Sequence, residues 1–258
     1  MRRAPALAVA AVVAAALPGC GGDPGPGGSP SAPTTAELTV LAAASLRPVF
    51  EELGRRFEAT HPGTAVEFTF AGSTDLVGQL REGAPADVLA TADTTAMDAA
   101  AQEGLLADAP APFATNTLQI VTPPENPARV SSFADLARPG VAVVVCAPQV
   151  PCGRATARAE LTAGVDVSPV SEETSVTGVL GKVTAGEADA GIVYVTDARA
   201  AGGAVRTVPF PEAAGIVSTY PVAVTAGSEH PVEAAGFAEF LRGAEAGRVL
   251  AGAGFGAP

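Results

Sequence analysis

Leu38-Thr39-Val40-Leu41, then Leu46, Val49, Phe50, Leu53 and Phe57, then Val66-Glu67-Phe68-Thr69-Phe70 complete one structural cycle within residues 38–70. The first run reads as a strand. The second repeats at three- and four-residue spacing, which puts its apolar side chains on one face of a helix, and His61-Pro62-Gly63 stops it. The third alternates apolar with polar, the period of a second strand. Further along, Leu76, Val77 and Leu80 start a short helix, and Asp87-Val88-Leu89-Ala90 returns to strand. The alternation continues with strands expected near 118–122, 141–146, 191–195, 205–208 and 220–225, and helices near 131–138, 153–162, 176–186 and 232–251. Strands alternating with helices predict an α/β protein with largely parallel sheets.

Composition agrees with a folded core. Of 258 residues, 48% are hydrophobic, 16% charged and 5% aromatic, too apolar for a disordered chain. Lys and Arg number 15 against 27 Asp and Glu, a formal charge of −12. An acidic chain without a basic block is a poor partner for nucleic-acid phosphates, so none is expected.

The N-terminus reads as an export signal. Arg2 and Arg3 precede an unbroken small-apolar run from Ala4 to Leu17, too short to span a bilayer. Leu17-Pro18-Gly19-Cys20 resembles a bacterial lipoprotein signal, whose cysteine is acylated; Pro18 departs from the small or β-branched residue usual there. Residues 1–19 are thus expected to be removed and Cys20 to carry the lipid, anchoring the chain to the outer face of the cytoplasmic membrane. The remainder would keep 13 cations against 27 acids, a charge of −14. Residues 20–37, rich in Gly and Pro, read as a flexible linker reaching about 25 Å, with order expected from Leu38. Outside the cell disulfides persist, and Cys146 and Cys152 flank a turn containing two prolines, Pro148 and Pro151. A Cys146–Cys152 bridge is expected, the alternative being two free buried thiols.

Several helices begin directly after a strand at small or hydroxyl-bearing junctions: Ala43-Ala44-Ser45, Ala71-Gly72-Ser73-Thr74, Pro151-Cys152-Gly153 and Thr174-Ser175-Val176. A helix start carries unpaired N–H groups and a partial positive charge, so it holds an anion without a cationic side chain. Ligands of open α/β sheets collect at these carboxyl ends of strands. Taken singly, Ser45, Ser73 and Ser175 also read as plain N-caps.

Five segments together carry a resemblance. Leu41-Ala42-Ala43-Ala44-Ser45-Leu46, Phe70-Ala71-Gly72-Ser73-Thr74, Gly83-Ala84-Pro85-Ala86-Asp87-Val88, Gly191-Ile192-Val193-Tyr194 and Tyr220-Pro221-Val222-Ala223-Val224 resemble, in that order, the molybdate-binding proteins of ABC importers over residues 38–256. The resemblance implies a type II periplasmic-binding-protein fold of two α/β lobes that close on ligand. Lobe I would comprise 38–116 and 219–258, and lobe II 117–218, with crossings near Asn116–Leu118 and Ser218–Tyr220. It also implies a tetrahedral oxyanion, molybdate or tungstate, held by Ser45, Ser73, Cys152, Val176 and Tyr194. Cys152 replaces the alanine-like residue of well-known members. The implied partners are a membrane permease and its ATPase, and the chain is expected to be a monomer without cofactor.

The residue chemistry fits that implication. Molybdate and tungstate are dianions with acceptor oxygens and no proton, which a donor-only site satisfies. None of the five positions is Asp or Glu, so no side chain there would coordinate the metal itself. Enzyme signatures are missing: there is no Gly-x-Ser-x-Gly elbow or His-Glu-x-x-His, and Gly181-Lys182 lacks the upstream glycine of a phosphate loop. His61 and His230 each precede proline and read as turn residues. Asp93 and Asp197 read as caps or turn formers, and Tyr220 as a packing residue at the crossing. Two other readings stand beside the first: a binder of another oxyanion such as sulfate, and a lipid-anchored interaction protein without a small ligand.

Overall fold

The computed structural model describes residues 36–258; the expected signal segment, the expected lipid site Cys20 and the expected linker up to residue 35 lie outside the described residues. β1 (Ala36–Ala43) lies between β2 (Thr64–Ala71) and β3 (Val88–Ala90), parallel to both. β9 (Val217–Val224) runs antiparallel to β3 and to the first part of β4 (Ala111–Thr122). From Leu118 onward β4 changes partners, pairing antiparallel with β7 (Ala190–Tyr194) and β8 (Arg206–Val208). β7 continues in parallel to β5 (Val143–Cys146), and β5 to β6 (Ser171–Glu173). The chain therefore builds two α/β lobes whose sheets are joined through β4, with β9 opposite the switch: Thr117 faces Val217 and Asn116 faces Ser218. In this arrangement the described residues of both lobes pack as one unit.

The first lobe shows why these residues form these elements. In α1 (Arg47–Thr60), Pro48 opens the helix and Val49, Phe50, Leu53 and Phe57 are buried along one stripe. The helix stops at His61, stacked on Phe57 at 3.9 Å, and the chain reverses through Gly63 at φ +94°. Phe50 and Phe57 meet Phe237 of α7 (Pro231–Arg242) edge-on at 6.3 and 5.2 Å. Each such buried ring contributes about 2–3 kcal/mol. Both faces of the β1 sheet are covered. Val40 and Ala42 join this aromatic core, while Leu41 packs with Leu76 of α2 (Ser73–Arg81) and Met97 of α3 (Thr94–Gln102).

Several expectations shift. Ala36 and Glu37, read as linker, belong to β1, and the Ala36 N–H donates to Gly63 O at 2.8 Å. The helix expected near 131–138 is a short 3₁₀ turn, Phe133–Ala137, closed by a Ser132/Asp135 capping box. The span 232–251 breaks into α7 and α8 (Ala244–Ala253), because Gly243 adopts an extended backbone between them. The pairing is less parallel than expected, since β4 and β9 must return the chain between lobes and run against their neighbours. Among the described residues no helix is long and apolar enough to cross a membrane.

Candidate functional site

Five strand ends meet where the lobes face each other. β1 runs into a 3₁₀ turn, Ala44–Leu46, and β2 into α2 through Gly72. In the other lobe β5 leads to α4 (Pro151–Ala163), β6 to α5 (Val176–Thr184) and β7 to α6 (Val195–Ala201). The five residues expected in the site all sit at these junctions, and each is 1–4% exposed.

Ser45 lies inside the 3₁₀ turn and is not a cap; its Oγ is 3.0 Å from the Tyr220 hydroxyl. Ser73 is the first residue of α2, after the Gly72 cap, and its Oγ accepts the Ala92 N–H at 3.0 Å. That leaves the Ser73 proton free to donate. Cys152 and Val176 occupy the first turns of α4 and α5, where backbone N–H groups lack partners within the helix. Ser175 is a plain N-cap, accepting the Gly178 N–H. Asp93 is one too, accepting the Ala96 N–H at 2.9 Å.

The lobes touch directly at these points. Gly72 lies against the Thr174 carbonyl, so close that a Cβ would sit 2.1 Å from its oxygen. Thr74 Oγ1 donates to Gln149 O at 3.0 Å. Arg154 on α4 spans to Asp93, its Nε donating to Oδ2 at 2.8 Å. Arg154 Nη2 lies 2.7 Å from the same oxygen but is too poorly aligned to hydrogen bond. The first turn of α4 is held from behind as well. The Sγ atoms of Cys146 and Cys152 are 2.06 Å apart, with 5.6 Å between the Cα atoms. The Val150 N–H donates to Ala147 O at 3.1 Å.

Tyr194, at the end of β7, is the exception to good pairing. Its ring meets Tyr220 edge-on at 5.9 Å, but its fully buried hydroxyl has no hydrogen-bond partner. Ser218 approaches without adequate geometry. Burial holds this phenol well above its ordinary range, so it remains a neutral donor. An orphaned buried hydroxyl costs on the order of 1–3 kcal/mol unless a ligand accepts from it.

The sequence reading missed three contributors: Thr196, Arg154 and, beyond its expected place at a crossing, Asn116. Asn116 Nδ2 donates to Thr196 Oγ1 at 2.8 Å and reaches the Tyr220 hydroxyl at 3.4 Å, so Tyr220 is a polar member of the site's support as well as a packing residue. Arg154 bridges the lobes. No local signal marks Asn116, Thr196 or Arg154, because their partners lie 61 or more residues away. The Asp of Gly83-Ala84-Pro85-Ala86-Asp87-Val88 is structural. Asp87 accepts the Thr39 N–H on one oxygen and, on the other, the Ser228 hydroxyl and the Glu229 and His230 N–H groups. Among the described residues no cluster of His, Cys, Asp and Glu is arranged to hold a metal ion.

One carboxyl does come close. Asp197 is 5% exposed, and its Oδ2 accepts the Tyr194 N–H at 3.1 Å. Burial pushes it up to about 7, against the downward pull of that N–H. The folded protein thus keeps a proton that the unfolded chain has released above about pH 4. The contribution of Asp197 to stability should therefore fall as pH rises from about 4 to 7. Asp197→Asn keeps an oxygen for the Tyr194 N–H and removes the titration. Its melting temperature should vary less than the parent's between about pH 5 and 8 and exceed it at the upper end. Parallel pH profiles in thermal unfolding would contradict this assignment.

A family model described as bacterial extracellular solute-binding protein matches residues 38–256. Over 252 residues the chain is 49% identical to the molybdate-binding protein ModA of Mycobacterium tuberculosis (strain ATCC 25618 / H37Rv), covering 97% of this chain and 96% of that one. Among solved structures, the Azotobacter vinelandii periplasmic molybdate-binding protein superposes with a TM-score of 0.69 at 19% identity, covering 86% of this chain and 99% of that chain. The sulfate-binding protein SubI from Mycobacterium tuberculosis H37Rv gives a TM-score of 0.71 at 22% identity, covering 85% and 86%. At these identities the two structures speak to the fold alone.

Proposed function

The chain belongs to the bacterial extracellular solute-binding proteins, and from that premise we propose that it is the molybdate-binding component of an ABC importer. The observation that carries this reading is the unpaired, buried Tyr194 hydroxyl at a junction supplied with hydrogen-bond donors, where the nearby Arg154 is itself paired with Asp93. In the proposed complex, the hydroxyls of Ser45, Ser73 and Tyr194 and the N–H groups of Cys152 and Val176 point their protons at one tetrahedral dianion. An acceptor-only ligand uses every one of these donors. The chain binds and delivers; it catalyses nothing. Lobe I (38–116 and 219–258) and lobe II (117–218) would close on the anion, and the closed form would dock on the permease.

Tungstate offers the same charge and acceptor geometry and belongs to the same proposal. So do a lipid anchor at Cys20, residence at the outer face of the cytoplasmic membrane, a monomeric state, and oxidation of Cys146 and Cys152 after export. Sulfate, a dianion of the same tetrahedral shape, is the second reading; its smaller radius would leave the donors too far apart. Calorimetry of the domain against molybdate, tungstate, sulfate and phosphate tests the choice. One-to-one, tight binding of the first two and far weaker binding of the others is expected. Submicromolar sulfate or phosphate binding without molybdate heat would overturn it.

A further inference from the structure

The hydrogen bonds behind Ser45 run in one direction. Asn116 Oδ1 accepts the Thr117 N–H at 3.0 Å, which orients the amide. Its donor-only Nδ2 is then left to face Thr196 Oγ1 at 2.8 Å and the Tyr220 oxygen at 3.4 Å. Either hydroxyl of the Ser45–Tyr220 pair, 3.0 Å apart, can donate; with the Tyr220 oxygen receiving from Asn116 and an oxyanion accepting from Ser45, the arrangement that pairs every proton sends the Tyr220 proton to Ser45 Oγ. Asn116 and Ser45 are 3% exposed and Tyr220 is 0%, so water is not at hand to reverse the order. Edge-on rings of Phe113, Tyr194 and Phe255, at 6.4, 5.9 and 5.4 Å, hold Tyr220 in place.

We infer that Tyr220 is a positioning and specificity-determining residue: by donating to Ser45 Oγ it commits the Ser45 proton to the bound oxyanion. This rests on the reading of Ser45 as an anion ligand. Aligned donors strengthen one another in a dry interior, so the last hydroxyl is a better donor than an isolated serine. The relay also occupies one of the two Ser45 lone pairs that would otherwise be open to a proton from the ligand. The site thereby favours a proton-free dianion over one carrying a hydrogen, such as hydrogen arsenate.

A double-mutant cycle with molybdate and arsenate as probes tests the inference. Ser45→Ala should lower molybdate affinity by about 10- to 100-fold, the worth of one hydrogen bond to a charged group. Tyr220→Phe, which removes one oxygen, should lower it by about 3- to 10-fold and narrow the preference over arsenate, an effect that packing alone would not produce. The double variant should match Ser45→Ala within about twofold, since Tyr220 acts through Ser45. Asn116→Ala, which keeps both hydroxyls but frees the direction of the Tyr220 proton while also releasing the Thr117 N–H and Thr196 Oγ1, gives a second arm: a smaller loss, again abolished in the Ser45→Ala background. Losses that add in the double variants, with selectivity unchanged, would overturn the relay and leave Ser45 as a ligand. Parental affinity in Ser45→Ala would instead overturn the reading on which the relay rests.

Discussion

Gly72→Ala is expected to lower oxyanion affinity by about 100-fold or more while leaving the unliganded protein folded. Gly72 has φ −61° and ψ 139°, a conformation alanine adopts without strain. The obstacle is across the cleft: the new Cβ would lie 2.1 Å from Thr174 O and 3.2 Å from its carbonyl carbon. Backbone atoms cannot give way as a flexible side chain does, so the lobes must stand apart. Opening them takes the far-lobe donors, Cys152 and Val176 N–H and the Tyr194 hydroxyl, out of reach of an anion resting on Ser45 and Ser73. Losing even two of these three charge-assisted bonds costs about 3 kcal/mol or more, which is the expected factor. With the lobes parted, the methyl meets nothing of its own lobe closer than Asp75 Oδ2 at 3.3 Å. The melting temperature without ligand should therefore hold or rise slightly, and the shift on adding molybdate should vanish. Parental affinity in calorimetry would mean that closure at this contact is not needed for binding.

Gly153→Ala should instead damage the fold itself. Its Cβ would fall 1.9 Å from Ala147 O, 2.5 Å from the Ala147 carbonyl carbon and 2.8 Å from Cys146 O. All of these atoms belong to the same lobe, so no movement between lobes relieves the clash. The first turn of α4 cannot swing away either, because Cys152 is tied to Cys146 and Arg154 N–H bonds to Val150 O at 2.9 Å. Overpacking against backbone of this kind costs about 3 kcal/mol or more, or about 6–12 °C in melting temperature for a domain this size. Affinity should fall too, as the Cys152 N–H is displaced. The two glycines thus separate closure from folding: one variant loses binding at constant stability, the other loses both. A Gly153→Ala protein melting within about 2 °C of the parent would contradict the contact.

The β1–α1–β2 cycle was readable because its large apolar residues keep period: Phe50, Leu53 and Phe57 at helical spacing, Val66, Phe68 and Phe70 in alternation. α3 was not, since Thr-Thr-Ala-Met-Asp-Ala-Ala-Ala-Gln offers one large apolar side chain, Met97, and its burial comes from neighbours. The early part of β4 was missed for a similar reason. Its Ala-Pro-Phe-Ala-Thr-Asn-Thr run carries little alternation and owes its strand form to pairing with β9. The break at Gly243 disappeared within a longer helical pattern. The five residues to which the resemblance points, Ser45, Ser73, Cys152, Val176 and Tyr194, all lie at strand-to-helix junctions. The support behind them was hidden, because Ser45 and Tyr220 are 175 residues apart and only tertiary folding joins them.

The central claim is that five donors at the meeting of two lobes hold a tetrahedral oxyanion by hydrogen bonds alone. Anomalous diffraction at the molybdenum edge, from crystals of the protein with molybdate, addresses it most directly. One molybdenum peak should appear between the Ser45, Ser73 and Tyr194 hydroxyls and the Cys152 and Val176 N–H groups, with four oxygens around the metal and no protein atom bonded to it. A peak elsewhere, or a metal ligated by Asp93 or Asp197, would contradict the account.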